Sequence, residues 1–194
     1  MKRNSFLQLC MAAGALITAP FAAMAKTGAA AIRGRLSKGF KVPAGQDRFN
    51  SSITLMEGDT FFTKIATADT GGDVFAFEST RIVNGGPPLH FHPEQDEWFY
   101  ILEGEFLFKI GEENFEGKAG DSFFGPRMVP HAFSKTGEGK ARMLILYQPA
   151  GKMEAYFKAV SKGELAKLTE AERNVIRKEH GFQVVGPALV HEKK

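Results

Sequence analysis

The sequence predicts an all-β domain, a sandwich or small barrel, followed by a C-terminal helical tail. Three observations carry this. Between Ser51 and Gln148 the chain breaks into about nine short apolar or β-branched runs, separated by Gly and Asp turns. In "EFLFKI", Phe106, Phe108 and Ile110 share one face while Glu105 and Lys109 share the other, the period of two of a sheet. After Pro149 the texture changes to helical runs, "KMEAYFKAV", "GELAKL" and "TEAERNVIRKEHG".

Length and composition agree with one domain plus a tail. The chain has 194 residues, 43% hydrophobic and 24% charged, as in ordinary soluble globular proteins. Its 18 Phe stand against 1 Trp and 3 Tyr. Such a bias implies a thick apolar core or a cavity lined with rings.

Residues 1–25 read as a secretory signal peptide. Lys2 and Arg3 precede an apolar run, Phe6 to Phe21, that ends in Ala23-Met24-Ala25, and Pro20 interrupts the run. Removal after Ala25 makes the product an exported bacterial protein, periplasmic or secreted, with no stable membrane anchor. "RNSFL" resembles a twin-arginine signal with Asn4 for the second arginine, so the export route stays open. Loss of Lys2 and Arg3 takes Lys plus Arg from 25 to 23 against 22 acidic residues. That near-balance gives no basis for nucleic-acid binding. Cys10, the sole cysteine, leaves with the signal, so no internal disulfide forms.

Residues 26–50, rich in Gly, Ala, Lys and Arg, are expected to be a poorly ordered lead-in to a barrel at 51–150. Within the barrel, "SSITLM", "TFFTKIA", "DVFAFEST", "EWFYILE", "EFLFKI", "ENFEGK", "DSFFG", "HAFSK" and "ARMLILYQ" are the strands. The tail, 151–194, is expected to be helical over 152–181 and to sit outside the barrel. Thr169 and Glu172 form a capping-box pair there, and Gly181 supplies a left-handed stop.

The chemistry lies in "LHFHPEQDEWFYILEGEF", Leu89 to Phe106. His90 and His92 flank Phe91, so on a strand both rings project to one side, roughly 7 Å apart. Pro93 ends that strand and "PEQD" turns the chain. Glu97 then faces the histidines from the returning strand, sharing its face with Phe99 and Ile101. Downstream, "GDSFFGPRMVPHAF" brings His131 to another strand start behind Pro126 and Pro130. Buried imidazoles beside a carboxylate need compensation, and a divalent cation provides it. His180, His191, Trp98, Tyr100, Glu94 and Asp96 read as helix-end, tail, packing or solvated residues.

These two stretches resemble the paired motifs of the cupin superfamily. "GGPPLHFHPEQDEWFYILEG" has H-x-H, four residues, E, six residues, G; "GDSFFGPRMVPH" has G, five residues, P, four residues, H. The departures are four rather than five residues between the leading Gly85 and His90, Met128 at the usual glycine, and Lys135 where Asn is common. The resemblance implies a cupin-type double-stranded β-helix, a jelly-roll barrel. It also implies His90, His92, Glu97 and His131 as ligands of one divalent transition metal: Fe, Mn, Ni, Co, Cu or Zn. Four ligands would leave two positions of an octahedral ion open.

The first motif is most similar to quercetin 2,3-dioxygenase-like single-domain cupins. That implies O2-dependent cleavage of a small planar or enolisable, flavonol-like compound, with Glu97 as ligand and as proton acceptor. Phe99, Phe106, Phe108 and Phe133 are the expected cavity lining, with Phe75, Phe77 and Phe124 as further candidates. Two other readings stay open: a non-catalytic metal-dependent binding protein, and a metal-dependent isomerase or decarboxylase, which requires polar groups inside the barrel. A homodimer is compatible with the resemblance.

Overall fold

The computed structural model describes residues 34–55 and 58–190. The signal segment 1–25 and His191 lie outside the described residues. Contacts divide the chain into Met1–Arg35 and Leu36–Lys194, and the second unit carries the fold.

Ten strands precede the helices: β1 (Ile53–Thr54), β2 (Asp59–Ile65), β3 (Phe75–Arg81), β4 (Pro88–Phe91), β5 (Asp96–Glu103), β6 (Glu105–Ile110), β7 (Glu113–Lys118), β8 (Ser122–Gly125), β9 (His131–Thr136) and β10 (Ala141–Gln148). Helices α1 (Met153–Ser161) and α2 (Glu170–Glu179) follow, and β11 (Gln183–Ala188) ends the fold. One sheet runs β1-β2-β3-β10-β5-β8 and the other β11-β4-β9-β6-β7, every pairing antiparallel. This is the expected jelly roll with C-terminal helices.

Alternation fixes which side chains meet between the sheets. In β5, Glu97, Phe99 and Ile101 are buried while Trp98 and Tyr100 are half-buried on the other face. In β10, Ala141, Met143, Ile145 and Tyr147 take the inner positions. Gly104 turns tightly from β5 into β6 at φ +83°, where a Cβ would come within 2.6 Å of Ala141. Aromatic rings fill the interior. Phe108 stacks on Phe123 at 4.0 Å and Phe61 on Phe77 at 4.1 Å.

Four expectations need correction. The segment before the barrel is not loose from residue 36 onward. Leu36 N donates to Asp69 O, Arg48 N donates to Thr63 O, and buried Asp47 accepts from the backbone of Phe49 and Thr63. "GELAKL" forms turns rather than helix, with Gly163 at φ +75° breaking the path. The tail is not helical to its end, because β11 joins the second sheet beside β4. Nor does α1 merely coat the barrel: Met153 and Tyr156 are buried and line a cavity together with strand residues. The Thr169–Glu172 capping box and the left-handed Gly181 are present as expected.

Candidate metal centre

His90 lies in β4 and His92 just beyond it. Glu97 is the second residue of β5 and His131 the first of β9. His90 and His131 are register partners across the β4–β9 pairing, while Glu97 reaches them from the opposite sheet. One ligand atom from each of the four residues lies within 4.8 Å of the others, and all four residues are buried. The Oε2 atom of Glu97 is 2.9 Å from His131 Nε2, 3.2 Å from His92 Nε2 and 3.8 Å from His90 Nε2.

The remaining ring nitrogens fix the tautomers. Nδ1 lies 2.8 Å from Pro88 O in His90, 3.1 Å from Gly181 O in His92 and 2.9 Å from Val129 O in His131. A carbonyl only accepts, so each Nδ1 carries the hydrogen and donates it. Each Nε2 then presents a lone pair to the carboxylate. Three lone pairs and a carboxylate at this range repel unless a cation or proton lies among them. Neighbouring ligands of an ion bound at ~2.1 Å stand roughly 3 Å apart. The donor set therefore fits a divalent transition metal.

Protonation reflects the same crowding. Burial pushes the Glu97 carboxyl up, but a proton held on Nε2 of His131, His90 or His92 gives it a hydrogen bond that outweighs burial, and the pKa is held well below the usual range. Burial lowers the pKa of His90. Burial also opposes protonation of His131, yet contact with Glu97 leaves its pKa raised. Tyr147, the register partner of Glu97 on β10, is pushed well up by burial and by the neighbouring carboxylate charge, so its hydroxyl stays protonated.

A cavity of about 160 Å3 opens beside this cluster. Its wall includes His90, Glu97, Tyr147, Phe77, Phe133 and Phe182, with Met153, Tyr156 and Phe157 contributed by α1. Of the expected lining, Phe133 and Phe77 are on the wall. Phe99, Phe106 and Phe108 are not: they pack into the core between the sheets, each 1% exposed. Phe75 is a core residue too, and Phe124 faces outward at 55% exposure. The difference arises because both sheets bury aromatic faces, and only the part beneath α1 is left unfilled.

Other residues fall as follows. His180 Nδ1 bonds to Ile176 O at the end of α2, outside the cluster. Asp96 pairs with Arg127 at 2.9 Å rather than standing free. Two of the three departures from the motif, Met128 and Lys135, have structural counterparts. Met128 adopts φ +63°, the conformation a glycine there would take without strain. Buried Lys135 donates to Asn84 Oδ1, Thr136 O and Gly137 O, satisfying its three hydrogens. Sequence reasoning missed Tyr147, Gly181, Phe182 and the polar pair Asp59–Arg81. Inward parity along β10 could have flagged Tyr147, but its pairing with Glu97 has no local signal.

A jelly roll holding three imidazoles and one carboxylate around a shared point is a barrel with a candidate metal centre. Comparison agrees with that class: residues 72–147 match the model of the cupin domain family. The solved structure of KdgF from Halomonas sp. shares the fold, with a TM-score of 0.50 at 18% identity, covering 58% of this chain and 94% of that one. An uncharacterized protein of Methanocaldococcus jannaschii is 36% identical over 61 residues, 31% of this chain and 49% of that protein. Polyketide synthase CurC of Streptomyces cyaneus is 27% identical over 92 residues, 46% of this chain and 57% of that protein. The chain thus spans about half the length of these curated relatives.

Proposed function

We propose that this is an exported, metal-dependent dioxygenase that cleaves a small planar or enolisable compound with O2. The observation that carries the reading is the convergence of three Nε2 atoms on Glu97 Oε2, with His90 and Glu97 on the wall of an aromatic cavity. A bound divalent metal would supply a Lewis acid that favours the enolate and a meeting point for O2. His90, His92, Glu97 and His131 would hold it. Glu97 stays ionised and is placed to accept a substrate proton. Tyr147, kept protonated beside it, offers a hydrogen-bond donor. Phe77, Phe133 and Phe182 on the wall would exclude water and give an aromatic surface to a ring.

A cavity of about 160 Å3 is on the scale that encloses a single benzene ring. One-ring enolisable compounds therefore suit the enclosed volume better than a three-ring flavonol. The likeness to a protein named polyketide synthase supports carbonyl-rich, enolisable compounds as the class. The test is O2 consumption by protein loaded separately with iron, manganese, nickel, cobalt or copper, offered flavonols and one-ring β-diketones. Uptake with at least one metal, lost in Glu97→Gln, is expected. No uptake with any combination sinks the reading.

A second reading has its own observation. Asp59, Ser79 and Arg81 bring polar groups inside the barrel, as a metal-dependent isomerase or decarboxylase of small acids requires. Conversion of a small acid under nitrogen, with no O2 consumed, would favour it.

A further inference from the structure

A second space lies next to the cavity at the candidate metal centre. It is a groove of about 420 Å3 between α1 and the first three strands. Phe49, Ile53 and Phe75 are in its wall together with Phe61 and Phe77, and the well-exposed Lys158 and Lys162 complete it. Helix α1 divides its side chains between the two spaces. Glu154, Lys158 and Ser161 recur at helical spacing and line the groove. Met153, Tyr156, Phe157 and Val160, on the adjoining stripe, line the cavity.

Phe61 and Phe77 are in the walls of both spaces. A side chain that touches two spaces at once stands between them. Alternation along β2 turns Asp59 and Phe61 inward, and Phe61 is 7% exposed. Its ring stacks on Phe77 with centroids 4.1 Å apart and meets Phe157 edge-on at 5.1 Å. Phe157 stands edge-on to Phe77 at 5.4 Å, so the three rings close the seam under α1 together. They are not equally fixed. Phe77 is on β3, held between β2 and β10, whereas Phe61 pairs outward with Ile53 of the two-residue edge strand β1. Phe61 is therefore the ring whose loss would join the two spaces with least damage to the sheet.

We propose that Phe61 is a specificity-determining residue: its ring is the end wall that holds the cavity to a one-ring ligand, with the groove behind it as space for a second ring. The proposal rests on the reading of this cavity as the ligand site and adds the residue that sets its size limit. Fused two-ring compounds are refused by this wall, not by the His90, His92, Glu97 and His131 cluster. The wall is apolar, so shortening it lengthens the cavity and adds no charge or hydrogen-bonding group to it.

The test measures binding of phenol and 2-naphthol by isothermal titration calorimetry, with and without added zinc, an ion that brings no redox chemistry. Wild type is expected to hold phenol at least as tightly as 2-naphthol, although the larger probe gains more by leaving water. Phe61→Ala raises 2-naphthol affinity about tenfold or more and changes phenol affinity by about threefold at most. Phe61→Leu leaves a smaller void, which protects the fold, and gives a smaller rise in the same direction. Phe108→Ala removes the same ring from the core, outside both walls, and gives no rise. Circular dichroism confirms that each variant is folded. No rise for 2-naphthol in any folded Phe61 variant, an equal rise in Phe108→Ala, or a wild-type preference for 2-naphthol overturns the proposal. O2 consumption judges the proposed reaction separately. Its absence leaves the size limit standing, and its presence without a rise for 2-naphthol overturns the role of Phe61 alone.

Discussion

The carbonyl oxygen of Gly181 lies 3.1 Å from Nδ1 of His92, 89 residues earlier in the chain. The stop of α2 is thereby also a support of the candidate metal centre. Gly181 holds φ +94°, which aims its carbonyl at the ring, and Phe182 follows it onto the cavity wall. The C-terminal segment thus orients one candidate ligand, His92, and lines the space beside it through Phe182.

Substituting Gly181→Ala forces a Cβ to within 2.9 Å of Gln95 Oε1 at a φ that L residues rarely adopt. The carbonyl must shift, and His92 loses the acceptor that fixes its ring. Metal affinity is expected to fall about 10–100-fold, as for other supports of metal ligands. Competition with a chromophoric chelator measures it, and unchanged affinity would show that the contact orients nothing.

Phe108 is 1% exposed and stacked on Phe123. Phe108→Ala should cost about 3–5 kcal/mol of stability through the void it leaves. Metal affinity should remain within a few-fold. Denaturant unfolding and the same chelator competition separate the two effects.

Met128 is 61% exposed and sits at φ +63°. Met128→Gly relieves roughly 1–2 kcal/mol of left-handed strain and gives back about 0.4–1 kcal/mol through a freer unfolded chain. A net gain of about 0.5–1 kcal/mol is expected in urea unfolding. A loss of stability would mean that the thioether makes contacts worth more than the strain.

Glu78 is buried on β3, with Arg142 Nε at 2.7 Å and Lys64 Nζ at 3.2 Å. Burial raises its pKa, but hydrogen bonding to Arg142 and the charge of Lys64 win and leave it lowered. Its contribution is therefore complete above the unfolded carboxyl pKa and is lost as pH falls through the folded value. Glu78→Gln should lower stability near neutrality by about 1.5–3 kcal/mol and flatten the acid limb of the stability–pH curve. Parallel acid limbs in the two proteins would contradict this.

How much of this could be read in advance depended on the range of the signal. The strands were legible because a period of two is local, as in "EFLFKI", and the clustering of His90, His92, Glu97 and His131 because motif spacing fixes their strand positions. Pairing between distant strands leaves no local mark. Tyr147 meets Glu97, and Asp59 meets Arg81, only through the β10–β5 and β2–β3 registers. Phe99 and Phe133 read alike in sequence, yet only Phe133 borders the gap beneath α1. The strand β11 was hidden behind a helix stop, and its short "QVVGPA" contains a Gly and a Pro that weaken any strand signal.

The most direct measurement is metal stoichiometry. Wild-type protein and the Glu97→Gln/His131→Ala variant are loaded with each first-row divalent ion, desalted, and analysed by plasma mass spectrometry. One ion per wild-type chain and essentially none in the variant is the expected result. No saturable uptake by wild type, or equal uptake by the variant, would contradict a shared centre at His90, His92, Glu97 and His131.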